Sequence, residues 1–333
     1  MTPRVSVLLP CRNAAATLPA ALSSLTAQNF ASFEIIAVDD GSSDDTWKIL
    51  TRVSDTEKRL VRLQQPPLGI VAALNAAAEV ARGELLARMD ADDIALPERI
   101  ARQVELLDCD DGLAACGTQV RYIPRSKVLD GALRYESWIN GLVSPEEIER
   151  DLFVECPIPH PTLMMRREEF EKVGGYRDAG WPEDYDLIFR LWESGARLGK
   201  VSDVLLEWRE HPERLSRVDG RYSEDAFRRC KAHFLKHRIK QRSVVVWGAG
   251  PVGKAFALEL QRLEHRVAAF VDLDPRKIGH TIHGAPVIHP QDIDSYRGSY
   301  VVAAVGSHDA RREIRAAWKA GGFKEPEECC AVA

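Results

Sequence analysis

The chain has no excess of basic residues: 45 Lys and Arg stand against 50 Asp and Glu, a formal net charge of -5. A nucleic-acid binder normally shows a basic bias, so that class is disfavoured. Long apolar runs are missing as well. No segment approaches the ~20 consecutive apolar residues that a membrane span requires. The seven cysteines are an odd number without a C-x-x-C pair, which indicates neither a disulfide framework nor a zinc site. Reduced thiols are the simpler expectation. Internal repeats and low-complexity segments are absent. Met1-Thr2-Pro3-Arg4 runs straight into the strand-like Val5-Ser6-Val7-Leu8-Leu9, with no leader signature. A cytoplasmic protein is expected, peripheral to the inner face of the membrane if it meets one at all.

What is present is ordinary globular material. The 333 residues, 45% apolar and 29% charged, can build a full core and suggest two or three domains. In the first block, strand candidates alternate with helix-period segments: 5–9, 18–27, 33–38, 46–53, 68–81 and 85–89. Such alternation predicts a parallel sheet covered by helices, with ligands at the carboxyl ends of the strands. The polar clusters fall at those ends: Pro10-Cys11-Arg12-Asn13, Asp39-Asp40-Gly41-Ser42-Ser43 and Asp90-Ala91-Asp92-Asp93. A second block is less regular and richer in Trp, Pro and His. Within it, helices are expected after Ser144-Pro145 and from Asp184 to Ser194. The stretch 221–242 is strongly basic and reads as a solvated linker helix or as a contact with an anionic membrane surface.

Asp90 and Asp92, one residue apart at a strand end, point the same way because strand side chains alternate. Two convergent carboxylates suit a hard divalent cation, which prefers oxygen ligands. A solvated acidic turn has the same sequence. Asp39 ends another strand, where a carboxylate can accept from a pyrimidine imide or a ribose hydroxyl. Ser42, Ser43 or Asp44 can cap the helix that begins near Thr46. Pro182-Glu183-Asp184 is a helix start, and also a place where a carboxylate can stand rigidly as a general base. In Arg209-Glu210-His211, followed by Arg214 and Arg217, a cation and an imidazole can meet phosphate oxygens or a metal.

Taken in order, these residues resemble the GT-A glycosyltransferases of family 2 over about residues 3–240. The likeness also rests on Leu74-Asn75, Ala81-Arg82-Gly83 and Gly174-Gly175-Tyr176-Arg177. It implies an α/β GT-A nucleotide-diphospho-sugar transferase fold and a metal-dependent, inverting transfer from a UDP- or dTDP-type donor to a hydroxyl acceptor. That acceptor would be a glycan or a lipid-linked sugar, in cell-surface polysaccharide or glycoconjugate synthesis. Pro10, Arg12, Asp39, Asn75, Asp90 and Arg209 would line the donor pocket, with Asp39 towards the base and Asp90 near the ribose. Asp92 and His211 would hold Mg2+ or Mn2+, and Asp184 would be the base. His160, Glu183 and Trp138 would lie on the acceptor side. The resemblance leaves Asp93 without a role.

The third block restarts at Ser243. Gly248, Gly250 and Gly253 satisfy G-x-G-x-x-G between a strand and a helix, and Asp272 follows at about the expected distance. A small Rossmann-like domain over 243–333 is predicted, binding NAD, another nucleotide or nothing. The expected organisation is therefore a glycosyltransferase domain over 1–240 and this smaller domain. Within the first, 1–115 would be the nucleotide-sugar half, 116–220 the acceptor half, and 221–242 a linker. Rival functions are an NAD-dependent nucleotide-sugar oxidoreductase or epimerase, and a non-catalytic nucleotide-sugar sensor. Sugar, acceptor identity and oligomeric state stay open.

Overall fold

The computed structural model describes residues 2–333. Contact density divides it into two units. One comprises the chain up to Ile148 with Pro157–Ala179 and Glu183–Val218; the other comprises Glu149–Cys156, Gly180–Pro182 and Asp219–Ala333.

The first unit is built on eight strands: β1 (Val5–Cys11), β2 (Phe33–Asp40), β3 (Leu60–Gln65), β4 (Leu85–Arg88), β5 (Ile94–Ala95), β6 (Leu113–Ile123), β7 (Met164–Arg166) and β8 (Arg197–Arg209). Their order across the sheet is β3-β2-β1-β4-β7-β6-β8-β5. The first four strands in that order run parallel, and β7 is antiparallel to β4 and β6. β1, β2 and β4 are almost continuously buried, as strands covered on both faces must be. Val5, Val7, Leu9 and Cys11 pack with Phe33, Ile35 and Ala37 beneath the helices Leu18–Thr26 and Thr46–Thr56. Ala73, Leu74 and Ala77 of helix Ile70–Val80 are also buried, and that helix packs on β1 and β2. β3 lies at the sheet edge with only Leu60 fully buried, so its sequence LVRLQQ carries no continuous apolar signal.

Two local devices set the strand ends. Glu34, buried on β2, accepts from Ser6 Oγ at 2.7 Å and from the backbone and guanidinium of Arg82. The chain must then pass against β1, and a Cβ at Gly83 would stand 2.6 Å from Ser6 N. The second device is Asp44, which accepts from Thr46 N at 3.0 Å and from Ala15 N at 2.9 Å. It tethers the loop after β1 while satisfying the helix start.

β6 and β8 form a long parallel pair, and the two-residue β5 adds antiparallel to β8, with Ile94 opposite Glu207. That register brings the turn before β5 beside the end of β8. Sequence and structure meet there.

The second unit has six strands: β9 (Val244–Trp247), β10 (Val267–Val271), β11 (Thr281–Ile282), β12 (Ala285–Ile288), β13 (Tyr300–Ala303) and β14 (Cys329–Ala331), in the order β11-β12-β10-β9-β13-β14. All pairs but β11–β12 are parallel. Leaving β11 aside, β9, the first strand of this unit in sequence, is central and the order reverses beside it, as in dinucleotide-type sheets. Helix Glu224–Ile239 belongs to this unit and is no solvated linker. Phe234, Leu235 and Ile239 are buried, and so are Lys231 and Arg238. Lys231 Nζ donates to the carbonyls of Val154 and Val332 at 2.7 and 3.0 Å, so its charge is spent inside. The short stretch Glu149–Cys156 is joined to the same unit through Asp151, which meets Arg315 at 2.5 Å; Arg315 also pairs with Glu325 at 3.0 Å. Among the described residues, no helix is long and apolar enough to cross a membrane.

Candidate functional site

The turn after β4 gathers three carboxylates. Asp90, Asp92 and Asp93 each offer an oxygen, and these atoms lie within 4.8 Å of one another. Burial and the neighbouring Asp90 push Asp92 above the ordinary carboxylate range, against the pull of His211. Burial, Asp90 and Asp92 push Asp93 well above it. Both directions reflect burial first and crowded negative charge second.

The turn is clamped by the end of β8. Arg209 N donates to Asp93 Oδ1 at 2.7 Å, and Arg209 Nε donates to the Asp92 carbonyl at 2.7 Å. His211 Nε2 meets Asp92 Oδ2 at 2.9 Å. Arg209, expected against the donor, thus uses its Nε to hold the turn itself. Arg214 lies over the Trp208 ring at 4.4 Å and pairs with Glu210 at 3.2 Å, and its charge is felt at Asp92 and Asp93. Asp93 Oδ2 is buried with no hydrogen-bond partner. An orphaned carboxylate oxygen, two further carboxylates and an imidazole make a hard donor set. They fit a divalent cation such as Mg2+ or Mn2+.

Behind the turn lies Arg88, buried at the end of β4 and ion-paired with Asp90. Burial lowers its pKa, but Asp90, helped by Tyr176 and Asp93, offsets this and the net direction is up. Asp90 therefore has a fixed cationic partner inside the protein, a feature that an apolar strand reading of 85–89 does not reveal. Asp39 is fully buried: Oδ1 accepts from Ser42 N and Oδ2 from Gln64 Nε2, both at 3.1 Å. Cys11, opposite Asp39 in the β1–β2 register, has its thiol pushed up by burial and then by Asp39 and Asp90, so the two strand ends converge on it. Pro10 is half-buried beside them, and Arg12 reaches Asp40 Oδ2 at 3.4 Å. Asp40 was passed over by sequence reasoning. It accepts from the backbone N–H groups of Leu68 and Gly69, fixing the loop that opens helix Ile70–Val80. Gly41, at φ +66 and with a virtual Cβ 2.7 Å from Pro67 Cδ, allows that loop to close.

On the other side, Asn75 commits both ends of its amide to the backbone of Tyr176, at 2.9 and 3.1 Å. The Tyr176 hydroxyl meets His160 Nε2 at 2.9 Å, and His160 Nδ1 lies 3.8 Å from Glu183 Oε1. Burial and the nearby Arg88 depress the protonation of His160 well below its ordinary range, so the imidazole is neutral. Burial pushes the Tyr176 phenol up; Arg88 opposes this, while Glu183, Asp184 and Asp90 add to it. Asp184 stands partly exposed in the first turn of helix Glu183–Glu193, and its Oδ1 accepts from Tyr185 N at 2.7 Å. Trp138 is half-buried against Tyr135, ring centroids 5.6 Å apart, and Tyr135 in turn lies 6.4 Å from Trp208. The first unit thus brings an acidic turn, an imidazole and a helix-borne carboxylate to one end of its sheet.

Residues 6–174, just over half of the chain, match the family model for glycosyl transferase family 2. The chain belongs to glycosyl transferase family 2. This glycosyltransferase is 29% identical over 248 residues to an uncharacterized glycosyltransferase of Haemophilus influenzae, covering 72% of this chain and 75% of that one. It is 28% identical over 231 residues to the putative glycosyltransferase EpsE of Bacillus subtilis, covering 67% and 79%. A third relative is WfaP of Escherichia coli, a UDP-Glc:alpha-D-GlcNAc-diphosphoundecaprenol beta-1,3-glucosyltransferase, 26% identical, covering 62% and 77%. Among solved structures, S. aureus TarS 1-349 in complex with UDP-GlcNAc matches with a TM-score of 0.57 at 19% identity, over 70% of this chain and 66% of that one. The enzyme spans slightly under two thirds of that TarS chain, and the likeness is one of fold. Residues 240–326 match a second model, described as C2185-like, N-terminal.

In that second unit Gly248 adopts φ +117 and Gly253 is packed so closely that a Cβ would fall 1.8 Å from Gly248 O. The glycines build the tight turn expected of them. Asp272 is already engaged: Oδ2 accepts from Ala249 N and pairs with Lys277, each at 2.9 Å, and Oδ1 accepts from Asp274 N at 2.9 Å. Gly250, at φ -86, starts helix Pro251–Arg262. A ribose hydroxyl would have to displace one of these bonds, and no observation here favours NAD.

Proposed function

We propose that the enzyme transfers a sugar from a UDP- or dTDP-type nucleoside diphosphate sugar to a hydroxyl acceptor, with Mg2+ or Mn2+ and with inversion at the anomeric carbon. The observation that carries this reading is the acidic turn, where three carboxylates offer oxygens within 4.8 Å of one another, Asp93 keeps an orphaned Oδ2 and Asp92 meets His211. Asp92 and His211 would hold the ion, which when bound would offset the charge growing on the departing diphosphate. Asp39 would lie towards the nucleotide base and Asp90 near the ribose, with Pro10 and Arg12 lining the same pocket at the strand ends. Asp184 would take the proton from the acceptor hydroxyl as that hydroxyl attacks the face opposite the leaving group. One carboxylate is enough for an inverting displacement, because no covalent intermediate has to be broken down. WfaP, whose name specifies a UDP-glucose donor and a diphosphoundecaprenol-linked acceptor, and the O-antigen biosynthesis glycosyltransferase WbnJ support a role in polysaccharide or glycoconjugate synthesis. A glycan or lipid-linked sugar is the corresponding acceptor class.

The test is a panel of nucleotide sugars offered to the full-length protein with Mn2+, following release of the nucleoside diphosphate with and without acceptor glycans. Release that stops on chelation with EDTA and does not need NAD is the expected result. Turnover of a nucleotide sugar only with NAD would overturn the proposal in favour of an oxidoreductase or epimerase.

A further inference from the structure

Tyr176 lies within reach of the charges of Asp90 and Asp184 and has no part in the mechanism above. Its backbone is clamped from both sides by Asn75. The loop leading into it is pinned by Arg190, which donates to the carbonyls of Val173 and Gly175 and is itself held by Asp186 at 2.7 Å. Gly174 and Gly175 are both left-handed, at φ +80 and +68, so the chain turns sharply to deliver the ring. Phe170 lies edge-on to the ring at 5.5 Å.

Among the described residues, the delivered hydroxyl meets His160 Nε2 at 2.9 Å. A neutral imidazole carries a single N–H. With Glu183 on the Nδ1 side, the favoured tautomer puts that proton on Nδ1, and Nε2 accepts from the phenol. His160 opens the short helical turn His160–Thr162, and the next carbonyl, that of Leu163, accepts from Arg88 N at 2.7 Å. The pair therefore links the segment bonded to Arg88, next to the turn bearing Asp90 and Asp92, to the loop that Arg190 and Asp186 hold against the helix bearing Glu183 and Asp184.

We infer that the Tyr176–His160 hydrogen bond is a positioning device that sets where Asp184 stands relative to the donor-holding turn. The inference rests on Asp184 being the base. Neither Tyr176 nor His160 touches the reacting atoms on this account; they act through the helix start. Because a displacement of ~1 Å at a reacting group can cost about a hundredfold in rate, loss of one bond in its support should slow transfer by about tenfold and leave donor binding alone.

The experiment is a double-mutant cycle in the full-length protein with Tyr176→Phe, His160→Leu and the pair together. It reads kcat and acceptor KM in transfer assays, UDP affinity with Mn2+ by calorimetry, and melting temperature. Each single variant should lower kcat by about tenfold at unchanged UDP affinity, and the double variant should be no slower than either single one. His160→Gln, which can keep an acceptor near the Nε2 position, should recover most of the rate. Additive losses, a parallel fall in UDP affinity, or wild-type kcat in Tyr176→Phe would each overturn the inference. If a variant melts at too low a temperature to assay, the His160→Gln comparison decides alone: its failure to recover rate counts against the bond. Asp184→Asn measured alongside separates the two levels. If that variant turns over normally, the assignment of the base is what has failed.

Discussion

At the scale of single residues, the acidic turn divides its labour more finely than its sequence shows. Asp90, Asp92 and Asp93 share one four-residue turn, yet each has a different partner: Arg88, His211 and the backbone of Arg209. The sequence grouped Asp92 with His211, and the two side chains do meet, at 2.9 Å. Arg88 was not legible, since an arginine inside an apolar strand resembles a solvated edge until its partner is seen. Asn75 and Tyr176 were visible as motif residues, but only the fold shows that one clamps the other. The proposed division between ligand and support has a direct consequence. Asp92→Ala should abolish the Mn2+-dependent part of UDP binding, measured as the difference in affinity with and without the metal. The melting temperature should fall little, because Asp92 is partly exposed and offers its side chain to His211 at the surface of the turn. Equal UDP affinity with and without Mn2+ in the wild type, or an unchanged metal effect in the variant, would remove Asp92 from the ion.

At the scale of elements, the strands buried on both faces were the easiest to read, and β3, β6 and β8 the hardest. β3 alternates polar and apolar residues at an edge, and β8 mixes Lys200, Asp203 and Glu207 into a strand of 13 residues. Their pairing partners, distant in sequence, decide that they are strands at all. The element contacts also predict a pH dependence. Burial alone would raise the pKa of Glu34, but hydrogen bonds from Arg82 and Ser6 win and hold it below its ordinary value of 4.5. A carboxylate depressed in the folded state contributes stability above its unfolded pKa and loses it as pH falls through the folded one. Glu34→Gln should therefore cost about 1–3 kcal/mol at pH 7. The gap in melting temperature between variant and wild type should narrow as pH drops below about 4.5. A gap that stays constant from pH 7 to pH 3 would mean that the ionised form of Glu34 adds nothing.

At the scale of the whole molecule, the alternation of strands and helices was enough to foresee two α/β units, and the glycine turn foretold the second. The membership of the pieces was not foreseeable. Helix Glu224–Ile239 reads as a charged connector, but its lysine and arginine charges at positions 231 and 238 are consumed by carbonyls inside the second unit. Two short stretches, Glu149–Cys156 and Gly180–Pro182, also leave the first unit's sequence to join the second. Local composition cannot report such exchanges, because they depend on ion pairs such as Asp151 with Arg315, 164 positions apart. The functional account places donor capture and proton removal in the first unit on separate residues. Asp184→Asn tests that separation most directly, with UDP affinity in Mn2+ and transfer turnover measured on the same preparation. The account predicts unchanged affinity and a turnover reduced by about 10²–10⁴-fold, the usual contribution of a general base. Affinity falling as far as turnover, or turnover left intact, would contradict it.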